Sequence, residues 1–296
     1  LTTQHDRTPE QQEAMDDLIR EVKELRPLPA IALRLIAMAE DRRFSAQDLA
    51  ATIRTDQALT LRILRLANSP AFGLPRRITS LREAIVLLGF REVRSLALGA
   101  CVVDASVRDR IAGAMLDYEV FWVNSLVVAY FSQVLADAEG LDRDEGFTAG
   151  VVHNVGRLAL AQHRPDWLRD AVMLARAEGF AVHDAQVHQL GFTDAELGAA
   201  VARTWSFPPT LVEAVERHAW PLSQLGKARD LDGIVARARR FARAHRVTDG
   251  VDVVGHTLSP DRDWMLPATA EALRRLGGVP GVLQRARAFL VEADAA

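Results

Sequence analysis

The chain has 296 residues, a net charge of −3, 49% hydrophobic and 25% charged residues, an ordinary balance for a globular protein with one or two cores. Its single cysteine, Cys101, excludes an internal disulfide framework and fits a reducing cytoplasm. The polar N-terminus is no secretory signal, no apolar run reaches the roughly 18 residues of a spanning helix, and the slight acidity gives no argument for nucleic acid or anionic membrane.

Helical periodicity dominates in chain order. Residues 11–26 place Met15, Leu18, Ile19, Val22 and Leu25 on one stripe, predicting an amphipathic helix closed by Pro27 and Pro29. A second helix is predicted over about Ile31 to Ala39. Ser45, with Asp48 three residues on, opens AQDLAATIRTD. QALTLRILRLAN (57–68) forms the next helix and SPAFGLP stops it. Ser80 with Glu83 reads as a capping box for LREAIVLLGF, and the same device recurs at Thr193/Glu196 and Thr210/Glu213. No stretch alternates with period two, so the expected fold is all-α. Three regions are expected: an N-terminal helical bundle over 8–110, packed on a second bundle over 111–222 that holds most of the histidines, and a C-terminal helical extension over 223–296. The extension comprises an Arg-rich helix, the loop TDGVDVVGHTLSPDRDW and closing helices.

GVVHNVGRLAL (150–160) sets His153 in an apolar run, followed by Asn154. A lone histidine on such a face is ordinarily a satisfied core residue. Its surroundings weigh against that reading. FWVNS (121–125) stands upstream, GFTDAELGAA (191–200) and WSFPPTLVEAVERHAW (205–220) downstream. With LRPLPAIALRLIAMAED and the long block IRTDQALTLRILRLANSPAFGLPRRITSLREAIVLLGFREVRSLAL, these segments resemble the HDOD family from about residue 20 to 222. That family is a bacterial offshoot of the HD-domain metal-dependent phosphohydrolases, in which histidines, a His-Asp pair and a final aspartate bind metals that activate water.

The resemblance implies what each position should hold. Asn124 stands where FW-x-H-S has histidine. His153 and Asn154 stand for the His-Asp pair. Asp194 replaces the histidine after G-F-D. Arg217 and His218 stand for two adjacent histidines, and Arg239 falls in the register of the last aspartate. Asparagine offers a neutral amide oxygen in place of a carboxylate or imidazole, and arginine opposes a bound cation directly. HNVG thus reads as the remnant of a metal site. The implied role is a non-catalytic signal-transduction module, of a kind found in networks that use cyclic dinucleotides, motility or stress responses.

Other constellations are weak. No nucleophile elbow, P-loop, C-x-x-C or H-E-x-x-H occurs. His183 and His188 are five apart and do not share a helical face, while Asp184 and His188 read as a surface pair. Cys101 lies in an apolar run without a neighbouring base, which suits an inert thiol. In VARARRFARAHR, Arg239, Arg243 and Arg246 share a face with Arg240 beside it, predicting a solvated basic surface that offers at most a nonspecific phosphate contact; Ile234, Ala238, Phe241 and Ala242 are expected to face the core. In LANSPAFGLPRRI, Asn68 and Ser69 end a helix before Pro70, Phe72, Leu74 and Ile78 form an apolar plug, and Gly73 and Gly89 are expected to permit close backbone approach; Arg76 and Arg77 read as a turn capping adjacent helices.

These readings converge on a cytoplasmic regulatory module without cofactor or metal. Its expected partners are bacterial signalling proteins. An anionic ligand, or a partner's acidic side chain, is expected in a cavity faced by His153, Arg217 and His218, and self-association is left open; neither membrane nor nucleic acid is expected. Three rivals remain: a metal-dependent phosphohydrolase using His153, Asp194 and His218, a phosphate-backbone binder using the 235–246 helix, and an oligomeric scaffold with no small ligand.

Overall fold

Side-chain chemistry fixes where several helices start. Ser45 Oγ accepts from Asp48 N at 3.2 Å while Asp48 accepts from Ser45 N at 2.8 Å, a reciprocal box opening Ala46–Arg54. Thr193 and Glu196 do the same at 3.1 and 2.8 Å for Asp194–Thr204. At Ser80 only half of the expected box forms: the hydroxyl accepts from Glu83 N, but the Glu83 carboxylate passes over to Thr79 N. At Thr210 the expectation fails. That helix begins at Pro209 without a side-chain cap, because the fixed φ of proline suits the first helical position and places Thr210 inside.

The structure, a computed structural model, describes residues 7–25, 30–40, 44–74, 76–103, 111–179, 181–225, 230–251 and 266–294. The predicted proline stops at 27 and 29, Pro75 and most of the 248–264 loop lie outside these. Among the described residues there is no strand, so the all-α expectation is met. The helices are α1 (Pro9–Leu25), α2 (Ala30–Glu40), α3 (Ala46–Arg54), α4 (Gln57–Asn68), α5 (Leu81–Leu88), α6 (Phe90–Val102), α7 (Tyr118–Ala138) and α8 (Arg143–Val152). They continue with α9 (Val155–His163), α10 (Pro165–Glu178), α11 (Val182–Leu190), α12 (Asp194–Thr204), α13 (Pro209–Arg217), α14 (Leu231–Ala244), α15 (Pro267–Arg275) and α16 (Gly278–Asp294).

Helix α7 is the axis of the molecule. It packs against α8, α14, α15 and α16, and 16 of its 21 residues are buried. It is long and apolar enough to cross a membrane by length and composition, yet its apolar window is mostly buried inside the fold. Edge-on aromatic pairs fasten it: Tyr130 on Phe147 of α8 at 5.3 Å and Phe131 on Phe241 of α14 at 4.9 Å, each worth about 1 kcal/mol beyond burial. The last helix reaches back to the N-terminal part, where Phe289 fills the space beside Gly99, so near that an added Cβ would lie 2.5 Å from its ring. The first helix packs on α9 and α12, and two ion pairs tie this end of the chain to the later helices: Arg7 to Glu196 at 2.7 Å, and Glu21 of α1 to Arg164 at 2.7 Å.

The turn between α4 and α5 is held by Asn68. Its amide nitrogen donates to Ile78 O at 2.9 Å and its oxygen accepts from Ile78 N at 2.8 Å, so one side chain closes a ten-residue excursion. Phe72 and Ile78 are buried in the plug, and the Arg285 guanidinium of α16 lies 4.5 Å over the Phe72 ring. Gly73 and Gly89 differ from expectation. An added Cβ at either meets nothing within 4 Å; their φ values of +57° and +91° are what require glycine. Gly89 also breaks LREAIVLLGF at Leu88, and α6 restarts at Phe90.

Candidate functional site

GVVHNVGRLAL is two helices rather than one. Val152 ends α8, His153 and Asn154 make the turn, and Val155 starts α9. The bend is possible because glycines let the backbones meet. A Cβ on Gly150 would stand 2.4 Å from Ala129 Cα of α7, and one on Gly156 only 1.9 Å from the Asp194 carbonyl oxygen. This α9–α12 contact carries Asp194, the first residue of α12, to the turn.

His153 and His218 meet edge to face with ring centroids 5.0 Å apart. Each occupies the turn that ends its helix, and each Nδ1 bonds a carbonyl three residues back: Gly150 O at 2.6 Å and Val215 O at 2.7 Å. With a carbonyl accepting, Nδ1 carries the proton and Nε2 is a bare lone pair. Both Nε2 atoms are buried without a hydrogen-bond partner, as are Asn124 Oδ1 and both amide atoms of Asn154. Burial pushes His153 down to about 3, with the positive charges of Arg239 and Arg157 acting in the same direction. His218 is held well below the ordinary histidine value by burial, by His153 and by Arg239. Both rings are therefore neutral at pH 7.

The charges of the site belong to arginines and aspartates. Arg157, wholly buried, donates from Nε to Asp194 Oδ2 at 2.6 Å and pairs through Nη1 with Asp249 at 2.7 Å. Arg239 reaches the same Asp249 oxygen at 3.2 Å. His183 donates from Nε2 to Asp194 Oδ1 at 2.7 Å, its ring 5.9 Å from that of His218, and Gln186 adds a bond to Asp194 Oδ2 at 3.1 Å. Burial works against the Asp194 charge, but Arg157 and His183 outweigh it and hold the carboxyl well below the usual carboxylate range. Two guanidinium groups and two carboxylates thus compensate one another. Asn124 joins from α7 by donating to Val247 O at 3.4 Å, two residues before Asp249.

The structure brings Asn124, His153, Asn154, Asp194, His218 and Arg239 into this buried region and sends Arg217 elsewhere. The Arg217 guanidinium is about a third exposed, pairs with Glu213 and Asp232 at 3.5 Å each, and lies over the Trp220 ring. It does not face the histidines as expected, because Asp232, at the start of α14, draws it to the rim. The predicted basic surface of α14 also changes. Arg239 is 7% exposed and points into the site, and Arg237 is buried beside Glu139. Arg240, Arg243 and Arg246 retain access to solvent, so Arg239 leaves the predicted face of four. Ile234, Ala238, Phe241 and Ala242 are buried as expected. Cys101 is pushed up to about 12 by burial, an inert thiol.

Sequence reasoning missed Arg157, His183 and Asp249. Arg157 was in view four residues after His153, and its lack of an acid at i±4 was the available signal that its partner lay elsewhere. His183 is visible in the sequence only as a histidine five residues from His188 and off its helical face, and Asp249 gives no signal, lying in a loop after the last predicted ligand.

The donor set does not fit a divalent metal. Two imidazole lone pairs are oriented as metal-bound histidines are, each backed by a carbonyl. The carboxylates that would join them are already engaged by Arg157, and Arg239 places a fixed cation near both rings. Among the described residues no three His, Cys, Asp or Glu side chains converge as a ligand set.

Comparison with known proteins shows the family and the fold. The HDOD domain family model matches residues 25–221. A Treponema pallidum protein is 25% identical over 201 residues, covering 67% of this chain; the chain spans only 38% of that relative's length. An HDOD domain protein of unknown function from Geobacter sulfurreducens superposes with a TM-score of 0.70 at 25% identity, over 96% of this chain and 97% of its own. A candidate signal transduction protein from Marinobacter aquaeolei gives 0.74 at 20% identity, over 97% of this chain and 67% of its own. A candidate phosphohydrolase from Shewanella amazonensis gives 0.65 at 23%, over 93% and 97%. The latter two share the fold. With a family match across two thirds of its length, this chain belongs to the HDOD family.

Proposed function

We propose that this chain is a non-catalytic regulatory module that acts through protein contacts. One observation carries the reading: buried arginines stand where a hydrolytic centre would need a metal, and they already neutralise the aspartates around them. Asn124 and Asn154 offer no charge to attract a divalent ion, and the two histidines are neutral. The anionic ligand expected beside Arg217 has no free site there: the anions paired with the buried cations are the chain's own Asp194 and Asp249. The fold shared with a candidate signal transduction protein supports the regulatory role.

A second reading, residual metal-dependent phosphoester hydrolysis, is favoured by the two unpartnered Nε2 lone pairs. Elemental mass spectrometry of protein purified without chelator, together with hydrolysis of bis(p-nitrophenyl) phosphate in Mn²⁺, separates the two. The regulatory reading expects metal-free, folded and inactive protein. Near-stoichiometric iron, manganese or zinc, with activity that His153→Ala abolishes, would overturn it.

A further inference from the structure

A second concave surface lies between the α4–α5 turn and the outer face of α16. It is an open groove of about 640 Å³, a size typical of binding clefts. Among the described residues, four arginines line it, Arg65, Arg76, Arg77 and Arg287, and no carboxylate does. Arg76 is steadied by Glu83 at 2.8 Å. Arg77 and Arg287 are exposed, and neither meets a carboxylate among the described residues. Between the arginines lie Ala71, Leu74, Ala288 and Val291, the last 67% exposed. Leu61, one helical turn before Arg65 on the same face of α4, is 54% exposed and extends the apolar strip.

We propose that this groove docks an acidic amphipathic segment of a partner protein. Apolar side chains of the segment would cover Leu74, Ala288 and Val291, while its carboxylates meet the rim arginines, whose planar forks suit paired carboxylate oxygens. Charge complementarity selects this occupant. A chain of net charge −3 sets the exposed Arg77 and Arg287 beside an aliphatic floor, and water-exposed aliphatic area bordered by such cations marks a contact surface. Nucleic acid fits less well, because among the described residues no aromatic ring lines the groove for a base to stack on; Phe72 is turned inward under Arg285. Asn68 clips Ile78 to the end of α4 beside the groove.

The proposal deepens the regulatory reading and takes its biological meaning from it. Peptide binding and phosphoester hydrolysis are separate readouts, so one can fail while the other stands. The test uses the whole chain and a fluorescein-labelled peptide of glutamate and leucine, about 16 residues long, with leucines at helical i, i+3, i+4 spacing. Controls are the same composition scrambled and a version with lysine for glutamate. Saturable binding of the acidic amphipathic peptide is expected by fluorescence anisotropy, weakened about tenfold by Arg77→Glu/Arg287→Glu and by Val291→Asp, all exposed positions where folding is not at stake. Absence of binding, equal affinity for the scrambled or lysine peptide, or indifference to both variants would overturn it. So would a single-stranded oligonucleotide that binds more tightly at the same residues, or a dimer in sedimentation that Arg77→Glu/Arg287→Glu dissociates, which would give the groove to a second copy of the chain.

Discussion

Replacing Arg157 by methionine removes the one group that touches both buried aspartates. At pH 7 the two guanidinium groups of the site balance Asp194 and Asp249; without Arg157 one negative charge is left over in a region closed to water. Asp194 keeps His183 at 2.7 Å and Gln186 at 3.1 Å, and Asp249 keeps Arg239 at 3.2 Å, so neither carboxylate is stripped bare. Breaking a buried ion pair from one side costs roughly 3–5 kcal/mol, and the surviving partners place this case near the middle, about 4 kcal/mol. That is a large share of the stability of an ordinary domain. Urea denaturation at pH 7 measures it as a fall in midpoint at constant slope. The pH dependence carries a sign. Asp194 has its folded value below its unfolded one, so its stabilisation is present above the unfolded value of about 3.9 and is lost as pH falls through the folded one. The gap between wild type and Arg157→Met therefore narrows below about pH 4. Adding Asp194→Asn should recover at least about 1 kcal/mol relative to the sum of the single losses, since the stranded charge disappears. A loss under about 1 kcal/mol at pH 7, or strict additivity in the double variant, would refute the view that this network compensates itself.

Acid should unfold the protein early. His153 falls to about 3 and His218 shifts the same way, so both stabilise fully above the unfolded value of about 6.5 and lose this as pH drops through the window beneath it. Two protons taken up on unfolding give a slope near 2.7 kcal/mol per pH unit between about pH 5 and 6, and His218→Gln should halve it in urea midpoints. Gly156→Ala pushes a methyl group into the Asp194 carbonyl, 1.9 Å away; a loss of about 3 kcal/mol is expected by thermal unfolding, with a shift of His183 resonances as Asp194 moves. Cys101, pushed up to about 12, should stay unlabelled by iodoacetamide at pH 8 in native protein and react fully in urea, read by intact mass.

Much of the architecture could be read from helical periodicity and caps, because both are local. Ser45/Asp48 and Thr193/Glu196 work as their spacing implies, since a capping box needs only three residues of context. Thr210 misleads for the same reason: the rule does not see the two prolines before it. At the site, resemblance located His153, Asn154, Asp194, His218 and Arg239 along the chain but not what they touch. The sequence treats Arg239 as one arginine of four on a helix face. The packing of α14 against α7, α8 and α13 and the path of the chain after Val247, which supplies Asp249, are not visible in the sequence. Arg217 shows the converse. Standing at an expected ligand position in sequence, it pairs with Asp232 at the rim instead.

A metal-dependent fold is hostage to its ion: a chelator, a competing metal or scarcity in the cell can empty the site and loosen the chain. Arg157 and Arg239 are cations joined to the backbone by covalent bonds, present at fixed stoichiometry from the moment of synthesis and unable to release their charge at any physiological pH. The core they sit in should therefore fold alike in metal-starved and metal-replete cells. On the proposed regulatory reading, a signal enters this protein by a route other than the filling and emptying of that centre.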